Sequence, residues 1–237
     1  MRILAIETAT PVASAAVIDR SGLLAETVIR APRHHLEWLL PAVNEMLAHL
    51  GSTPDSIEGL AVSCGPGGFT GLRIGIATAA GWAKARDLPV IGVGTLEALA
   101  RVPGAEGLVL PVLDAHRGEV AGALYRLDAS DAAECLVPPL VGSPEAVAMS
   151  AGAFPGPVLI LGDGLAKFGG VILAILGARA RMGGPQLHPR AATVGLVALP
   201  RFLNGERTGL DMLRPVYGRR PVALQGKETP SRGGNPT

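Results

Sequence analysis

Several residue types are scarce in this chain of 237 residues, and each scarcity excludes a class of protein. Two cysteines cannot form a disulfide framework, which favours a reducing compartment. Aromatic residues make up only 3% of the chain, so the core must consist of Leu, Val, Ile and Ala. A formal net charge of +1 argues against a general phosphate-binding surface. No apolar run is as long as a membrane span and Glu7 comes too early for a signal-peptide core, so we expect a cytoplasmic protein with no membrane partner.

Apolar strands and amphipathic helices alternate along the chain and predict an α/β fold. The first half is predicted to contain strands at 2–6, 12–18 and 23–29, a helix over 36–50, a strand at 60–63, a helix to about 86, a strand at 89–93 and a helix opened by Thr95. Pro41 predicts a late start or a kink in the first helix. The second half repeats this order from a strand at 108–113, which ends in Asp114 as the first strand ends in Glu7. Two half-repeats predict a duplicated architecture with a cleft between the halves.

The repeat gives the expected domain boundaries. We expect an N-terminal lobe over residues 1–103 and a C-terminal lobe over residues 104–217. From residue 218 the composition shifts to Gly, Pro, Arg, Ser and Gln, which predicts a disordered tail over 218–237. The tail is basic, and contact with RNA and simple solvation explain its charge equally well.

The densest glycine segment of the chain, residues 64–75, lies between a strand and a helix. Glycines at such a turn often let backbone N–H groups approach an anion at a helix N-terminus. No Lys-Ser or Lys-Thr pair follows them, so the segment is not a P-loop. No acid ends the next strand at 89–93, so a dinucleotide site has little support. Two interpretations stay open, a phosphate site and a shape kept for close packing.

Two acids at strand ends are the main candidates for chemistry. Glu7 and Asp114 each close an apolar strand, and in a two-lobed fold both carboxylates would face the cleft, where they could hold Mg²⁺ through water. Alternatively, they form turns beside a nucleotide site whose function is lost. The candidate residues of this remnant cleft are Glu7, Thr8, Gly67, Asp114, Gly162, Asp163 and Gly164.

Metal binding and nucleophilic catalysis find little support in the sequence. His34 and His35 are adjacent, so their side chains diverge by about 100° on a helix and cannot easily share a metal. No Gly-x-Ser-x-Gly motif is present, and Cys64 has no flanking base. We therefore expect no catalytic residue, no metal and no cofactor, and we interpret Cys64 as a packing residue.

The helix after the glycine segment is unusually rich in small residues. One row with a spacing of four contains Gly75, Ala79 and Ala83, and a second row contains Ala77, Gly81 and Ala85. Small residues let another helix approach closely, although both helices of this half could simply face their own sheet. The candidate residues of a subunit interface are His35, Leu39, Val43, Leu72, Arg73, Ile76, Ala79 and Ala83.

Four segments carry a resemblance to a known family. They are residues 2–10 (RILAIETAT), 65–75 (GPGGFTGLRIG), 113–120 (LDAHRGEV) and 214–217 (RPVY). These segments are spread over nearly the whole chain and resemble the TsaB (YeaZ) family, whose members are paralogues of the transferase subunit TsaD. The resemblance implies the actin, sugar-kinase and Hsp70 (ASKHA) fold, an α/β fold with two duplicated lobes.

The resemblance also implies a function. TsaB proteins act as non-catalytic partners of TsaD, and with the ATPase TsaE they support formation of N6-threonylcarbamoyladenosine (t6A) at position 37 of tRNAs that read codons beginning with A. TsaD holds a metal through a His-x-x-x-His pair, whereas here Trp38 stands four residues after His34 and Leu39 four residues after His35. The family pairs with TsaD, and with itself, through the first-lobe helices, and it meets tRNA through the complex. The alternatives are an active nucleotide-dependent enzyme of the same fold, using Glu7 and Asp114, or a metallopeptidase-like protein.

Overall fold

Two mixed β-sheets of five strands each form the framework of the molecule in the computed structural model. The structure describes residues 1–30, 35–101, 105–128, 133–183 and 188–216. The first half contains β1 (Ile3–Glu7), β2 (Val12–Asp19), β3 (Gly22–Arg30), α1 (His35–His49), β4 (Gly59–Ser63), α2 (Phe69–Arg86), β5 (Val90–Val93) and α3 (Thr95–Ala100). The second half contains β6 (Gly107–Asp114), β7 (Val120–Leu127), β8 (Ala133–Gly142), α4 (Pro144–Ser150), β9 (Val158–Leu161), α5 (Leu165–Leu176), β10 (Ala180–Met182) and α6 (Ala191–Leu203).

The two halves have the same topology, which confirms the predicted duplication. The strand orders are β3-β2-β1-β4-β5 and β8-β7-β6-β9-β10. In each half the first three strands are antiparallel, and the first strand also pairs in parallel with the fourth. Each half also ends in a strand and a helix, and in the second half this last pair, β10 and α6, was not predicted from the sequence.

Burial explains why the central strands are apolar without alternation. Every residue of β1 and β4 is buried, because helices cover both faces of the first sheet. An edge strand such as β3 instead mixes exposed and half-buried positions. Continuous apolar runs are therefore typical of the sheet centre and mixed patterns of its edge.

Helices cover both faces of each sheet. One face of the first sheet packs against α1 and α2, and the other packs against α6, the last helix of the chain. One face of the second sheet packs against α4 and α5, and the other against α3, which follows β5. Each sheet is thus covered on one face by a helix from the other half of the chain. The lobe boundaries of 1–103 and 104–217 remain a proposal.

Some local predictions need correction or lie beyond the described residues. The first helix runs without interruption through Pro41, which is exposed, so it does not start late. The predicted tail, His34 and Tyr217 lie outside the described residues. Among the helices that the structure describes, none is long and apolar enough to cross a membrane.

Candidate functional site

Glu7, the acid at the end of β1, lies in the interior of the first lobe. Its side chain is fully buried, and its Oε1 accepts a hydrogen bond from the Ala9 N–H at 2.5 Å. Burial raises the pKa of Glu7 to about 7, against the opposing effects of the Ala9 N–H and the Ser63 hydroxyl. A fully buried carboxyl group cannot reach a metal or a nucleotide in the cleft without a change of structure. Glu7 therefore lies in the interior of the first lobe and not on an accessible surface.

The loop after β1 is sealed by the start of α2. The Thr8 hydroxyl donates to the carbonyl oxygen of Gly71 at 2.8 Å, and the Gly68 N–H donates to the carbonyl oxygen of Ala9 at 2.7 Å. Thr8 is fully buried. The Thr8 hydroxyl and the Gly68 N–H, two groups that a phosphate in this loop could use, are thus bonded within the protein.

Two glycines make this close contact possible. A Cβ built on Gly67 would overlap Ala9, and a Cβ built on Gly75 would overlap the hydroxyl oxygen of Thr8. Any larger side chain at either position would push α2 away from the β1–β2 loop. The first interpretation of the glycine segment, a phosphate site, therefore has no geometric support here, whereas close packing explains these two glycines.

Gly65, the first glycine of the segment, is hydrogen-bonded to the first residue of α3. Gly65 has a φ of +114°, its N–H donates to the Thr95 hydroxyl at 3.0 Å, and its carbonyl accepts from the Thr95 N–H at 2.8 Å. Next to it, burial raises the pKa of the Cys64 thiol to about 11. A thiol with that pKa is a poor nucleophile near neutral pH, in agreement with a packing role.

In the second lobe, the corresponding acids form a small ionic cluster. Oδ1 of Asp163 accepts from the Asp114 N–H at 2.9 Å, and Oδ2 of Asp114 contacts Nζ of Lys167 at 2.5 Å. Partial burial alone would raise the pKa of Asp114, but the bonds from Lys167 and from the His116 N–H bring it below its ordinary value. The structure therefore places Asp114 and Asp163 together and ties both into the local fold.

The glycines beside Asp163 are also packing residues. A Cβ on Gly162, whose φ is +113°, would overlap the backbone of Val112, and a Cβ on Gly164 would press on Val112 and Leu113. The turn between β9 and α5 thus lies directly against β6. Among the residues that the structure describes, no group of three or more His, Cys, Asp or Glu side chains is arranged to hold a metal.

The predicted interface residues of α1 and α2 fall into two groups. Six of them are buried, and all of these except Leu72 belong to the core between these helices and the first sheet: Leu39, Val43, Leu72, Ile76, Ala79 and Ala83. Arg73 is exposed and its guanidinium lies 3.8 Å from the centroid of the Phe69 ring, while His35 is the first residue of α1. A partner could not touch the six buried side chains in this fold, so a surface on these helices must use their outer residues.

The outer face of α2 is a shallow groove that contains Arg73 and Ala77, which the sequence indicated, together with four further residues. Its lining residues are Phe69, Thr70, Arg73, Ile74, Ala77 and Thr78. Phe69 is 47% exposed, an unusual exposure for a large aromatic side chain. Beyond the groove, Gly81 and Ala85 continue an exposed row of small residues. We call the groove together with Gly81 and Ala85 the α2 outer face.

Known proteins resemble this chain in sequence and in fold. The family model "TsaD: tRNA N6-adenosine threonylcarbamoyltransferase" matches residues 26–148. The chain is 35% identical over 241 residues to the "tRNA threonylcarbamoyladenosine biosynthesis protein TsaB" of Escherichia coli (strain K12), and the match covers 96% of this chain and 100% of that protein. The solved structure of YeaZ from Pseudomonas aeruginosa superposes with a TM-score of 0.79 at 29% identity and covers 91% of this chain and 99% of that chain.

A more distant likeness concerns the fold alone. The ROK hexokinase of Thermus thermophilus superposes with a TM-score of 0.50 at 14% identity, over 87% of this chain and 100% of that chain. Together with the two sheets of equal topology, this likeness confirms the expected α/β fold of the actin, sugar-kinase and Hsp70 type. In this fold the strand-end acids Glu7 and Asp114 are both bonded within the protein.

Proposed function

The chain belongs to the TsaB family, a paralogue family of TsaD, and we propose that it is a non-catalytic subunit in the formation of t6A at position 37 of tRNAs. The observation that carries the proposal is the full-length match to E. coli TsaB, combined with the sealed loop after β1. Mg²⁺ is bound through accessible carboxylate oxygens, and a phosphate at a helix N-terminus needs free N–H groups. Glu7 is fully buried, and Thr8 bonds to Gly71.

The proposed partner is TsaD, bound through the outer faces of α1 and α2. The support is the α2 outer face itself, in which small residues and an exposed aromatic ring lie side by side. Small residues allow a facing helix to approach closely, and an exposed aromatic ring is a common anchor of protein interfaces. TsaE and tRNA would then meet the chain through its complex with TsaD, and a homodimer would use the same face when TsaD is absent.

Gly81 offers a sharp test of this surface. It is exposed within α2, and a Cβ built on it meets no atom within 4 Å, so a side chain can be added without disturbing the fold. Gly81→Arg places a long charged side chain across the row of small residues, while the helix propensity improves by about 1 kcal/mol. We expect this variant to fold at least as stably as the parent and to lose co-elution with TsaD.

Gly170 in α5 provides the matched control. It is also an exposed helical glycine with open space around its Cβ position, but it lies in the second lobe. Gly170→Arg should keep co-elution with TsaD on size-exclusion chromatography. Intact co-elution of Gly81→Arg, or equal loss in both variants, would contradict the proposed surface.

A further inference from the structure

The C-terminal part of the described chain, residues 206–216, forms a strap along the first sheet. After α6, the Thr208 N–H donates to the carbonyl oxygen of Val90 at 2.8 Å, and the Thr208 hydroxyl accepts from the Gly92 N–H at 3.1 Å. The strap therefore adds one backbone and one side-chain hydrogen bond to β5, the edge strand of that sheet. Leu213 then enters the core of the first lobe, where it is 5% exposed.

The strap ends at the glycine segment that begins α2. The Val216 N–H donates to the carbonyl oxygen of Cys64 at 2.6 Å. The carbonyl oxygen of Val216 occupies the space that a Cβ on Gly65 would need. The Val216 side chain is 55% exposed, so its contact with the glycine segment runs through the backbone.

Gly65 is thus held from two sides, by Val216 of the strap and by Thr95 at the start of α3. Three residues later, Gly68 is the N-cap of α2, and no side chain supplies a capping hydrogen bond there. The first N–H groups of a helix have no partner within the helix, so without a side-chain cap they depend on other groups outside it. Thr8 and Ala9 hold the first turn of α2 directly, and the contacts around Gly65 hold the chain three residues before its N-cap.

We propose that the strap positions the α2 outer face for its protein partner, with Val216 and Thr95 as positioning residues. This inference rests on the proposed function, in which α2 binds TsaD. It assigns a role to the Arg214–Tyr217 motif, of which residues 214–216 are described, because the backbone of that motif supports the start of the binding helix. The strap does not touch the partner in this proposal.

Substitutions at Val216 test the proposal. Val216→Pro removes the N–H that bonds to Cys64, whereas Val216→Ala keeps that N–H and changes only the exposed side chain. We expect Val216→Pro to bind TsaD about tenfold more weakly than Val216→Ala. A change of this size corresponds to the loss of about one hydrogen bond. Hydrogen exchange at Leu72, whose N–H bonds to the Gly68 carbonyl in the first turn of α2, should accelerate to a similar degree.

Two further variants separate positioning from general stability. Thr95→Val removes the acceptor of the Gly65 N–H from the opposite side and should reproduce both effects. Thr208→Val weakens the strap at β5, away from the glycine segment, and should change affinity less than twofold. Equal affinities of Val216→Pro and Val216→Ala, or affinity losses that only follow the loss of stability across all variants, would overturn the proposal. If the parent protein does not bind TsaD, the proposed function fails, and unchanged exchange at Leu72 in Val216→Pro would separately overturn the strap proposal.

Discussion

Glu7 gives the prediction with the most direct physical basis. Burial raises its pKa in the folded protein from an ordinary value of 4.5 to about 7. Below pH 4.5 the group is protonated in both the folded and the unfolded chain, so the stability contribution of the neutral carboxyl is fully present. Between pH 4.5 and about pH 7 the unfolded chain releases this proton while the folded protein keeps it, so the free energy of unfolding falls as the pH rises.

The size of this effect follows from the difference in pKa. About 2.5 pKa units at 1.36 kcal/mol each correspond to a loss of about 3 kcal/mol between pH 4.5 and pH 8. Glu7→Gln replaces the carboxyl with a neutral amide of the same shape and should remove this dependence. Relative to the parent, the variant should therefore gain about 3 kcal/mol over that range.

Urea unfolding at a series of pH values between 4.5 and 8 measures the difference directly. The quantity to follow is the free energy of unfolding of Glu7→Gln minus that of the parent, because titration of all other groups cancels in it. Glu145→Gln, on the exposed surface of α4, is the control for the loss of one carboxylate. A difference for Glu7→Gln that stays constant with pH would refute the reasoning, since it would mean that the pKa of Glu7 is the same in the folded and the unfolded chain.

Three further predictions concern the packed glycines and the remnant cleft. Gly75→Ala should lower the free energy of unfolding by about 1–3 kcal/mol because its Cβ overlaps the Thr8 hydroxyl, whereas Gly81→Ala should raise it by about 0.5–1 kcal/mol; equal effects in urea unfolding would contradict this packing. Lys167→Ala should raise the pKa of Asp114 because the bond from Nζ is lost, and an unchanged NMR titration of that carboxyl group would be evidence against the ionic cluster. Calorimetry with ATP and Mg²⁺ should detect no micromolar binding to the isolated chain because the loop at Thr8 is sealed, and Mg²⁺-dependent micromolar binding would instead favour an active nucleotide-dependent enzyme.

The duplicated fold could be predicted from the sequence because its central strands are buried on both faces. Such strands read as continuous apolar runs, and β1 and β6 each end in an acid. The last helix, α6, gave no comparable local signal, because it contains Gly195 and Pro200, both poor helix formers. Gly195 is required by tertiary contact, since a Cβ there would overlap Ile18 of β2.

The proposed interface uses the two helices that the sequence indicated, but the residues that face outward could not be identified from the sequence. In α2 both rows with a spacing of four are built from Gly and Ala, so polarity does not distinguish the buried row from the exposed one. The structure buries the row of Gly75, Ala79 and Ala83, and it exposes the row that contains Gly81. Small side chains on both faces remove the contrast on which amphipathic patterns depend.

The glycine segment was interpreted correctly only in part. Its spacing predicted a turn between a strand and a helix, and that turn is present between β4 and α2. The choice between a phosphate site and close packing depended on where Ala9, Thr8 and Val216 lie, and these residues come from distant parts of the chain. A local sequence pattern contains no information about such neighbours.

The central claim is that this chain supports t6A formation as a partner without catalytic activity of its own. The most direct measurement is a reconstituted reaction of TsaD, TsaE, threonylcarbamoyl-adenylate and tRNA, with the chain present or omitted. The account predicts multiple-turnover modification only when the chain is present, no turnover by the chain alone, and no recovery with Gly81→Arg. Unchanged modification when the chain is omitted, or turnover by the chain alone, would contradict it.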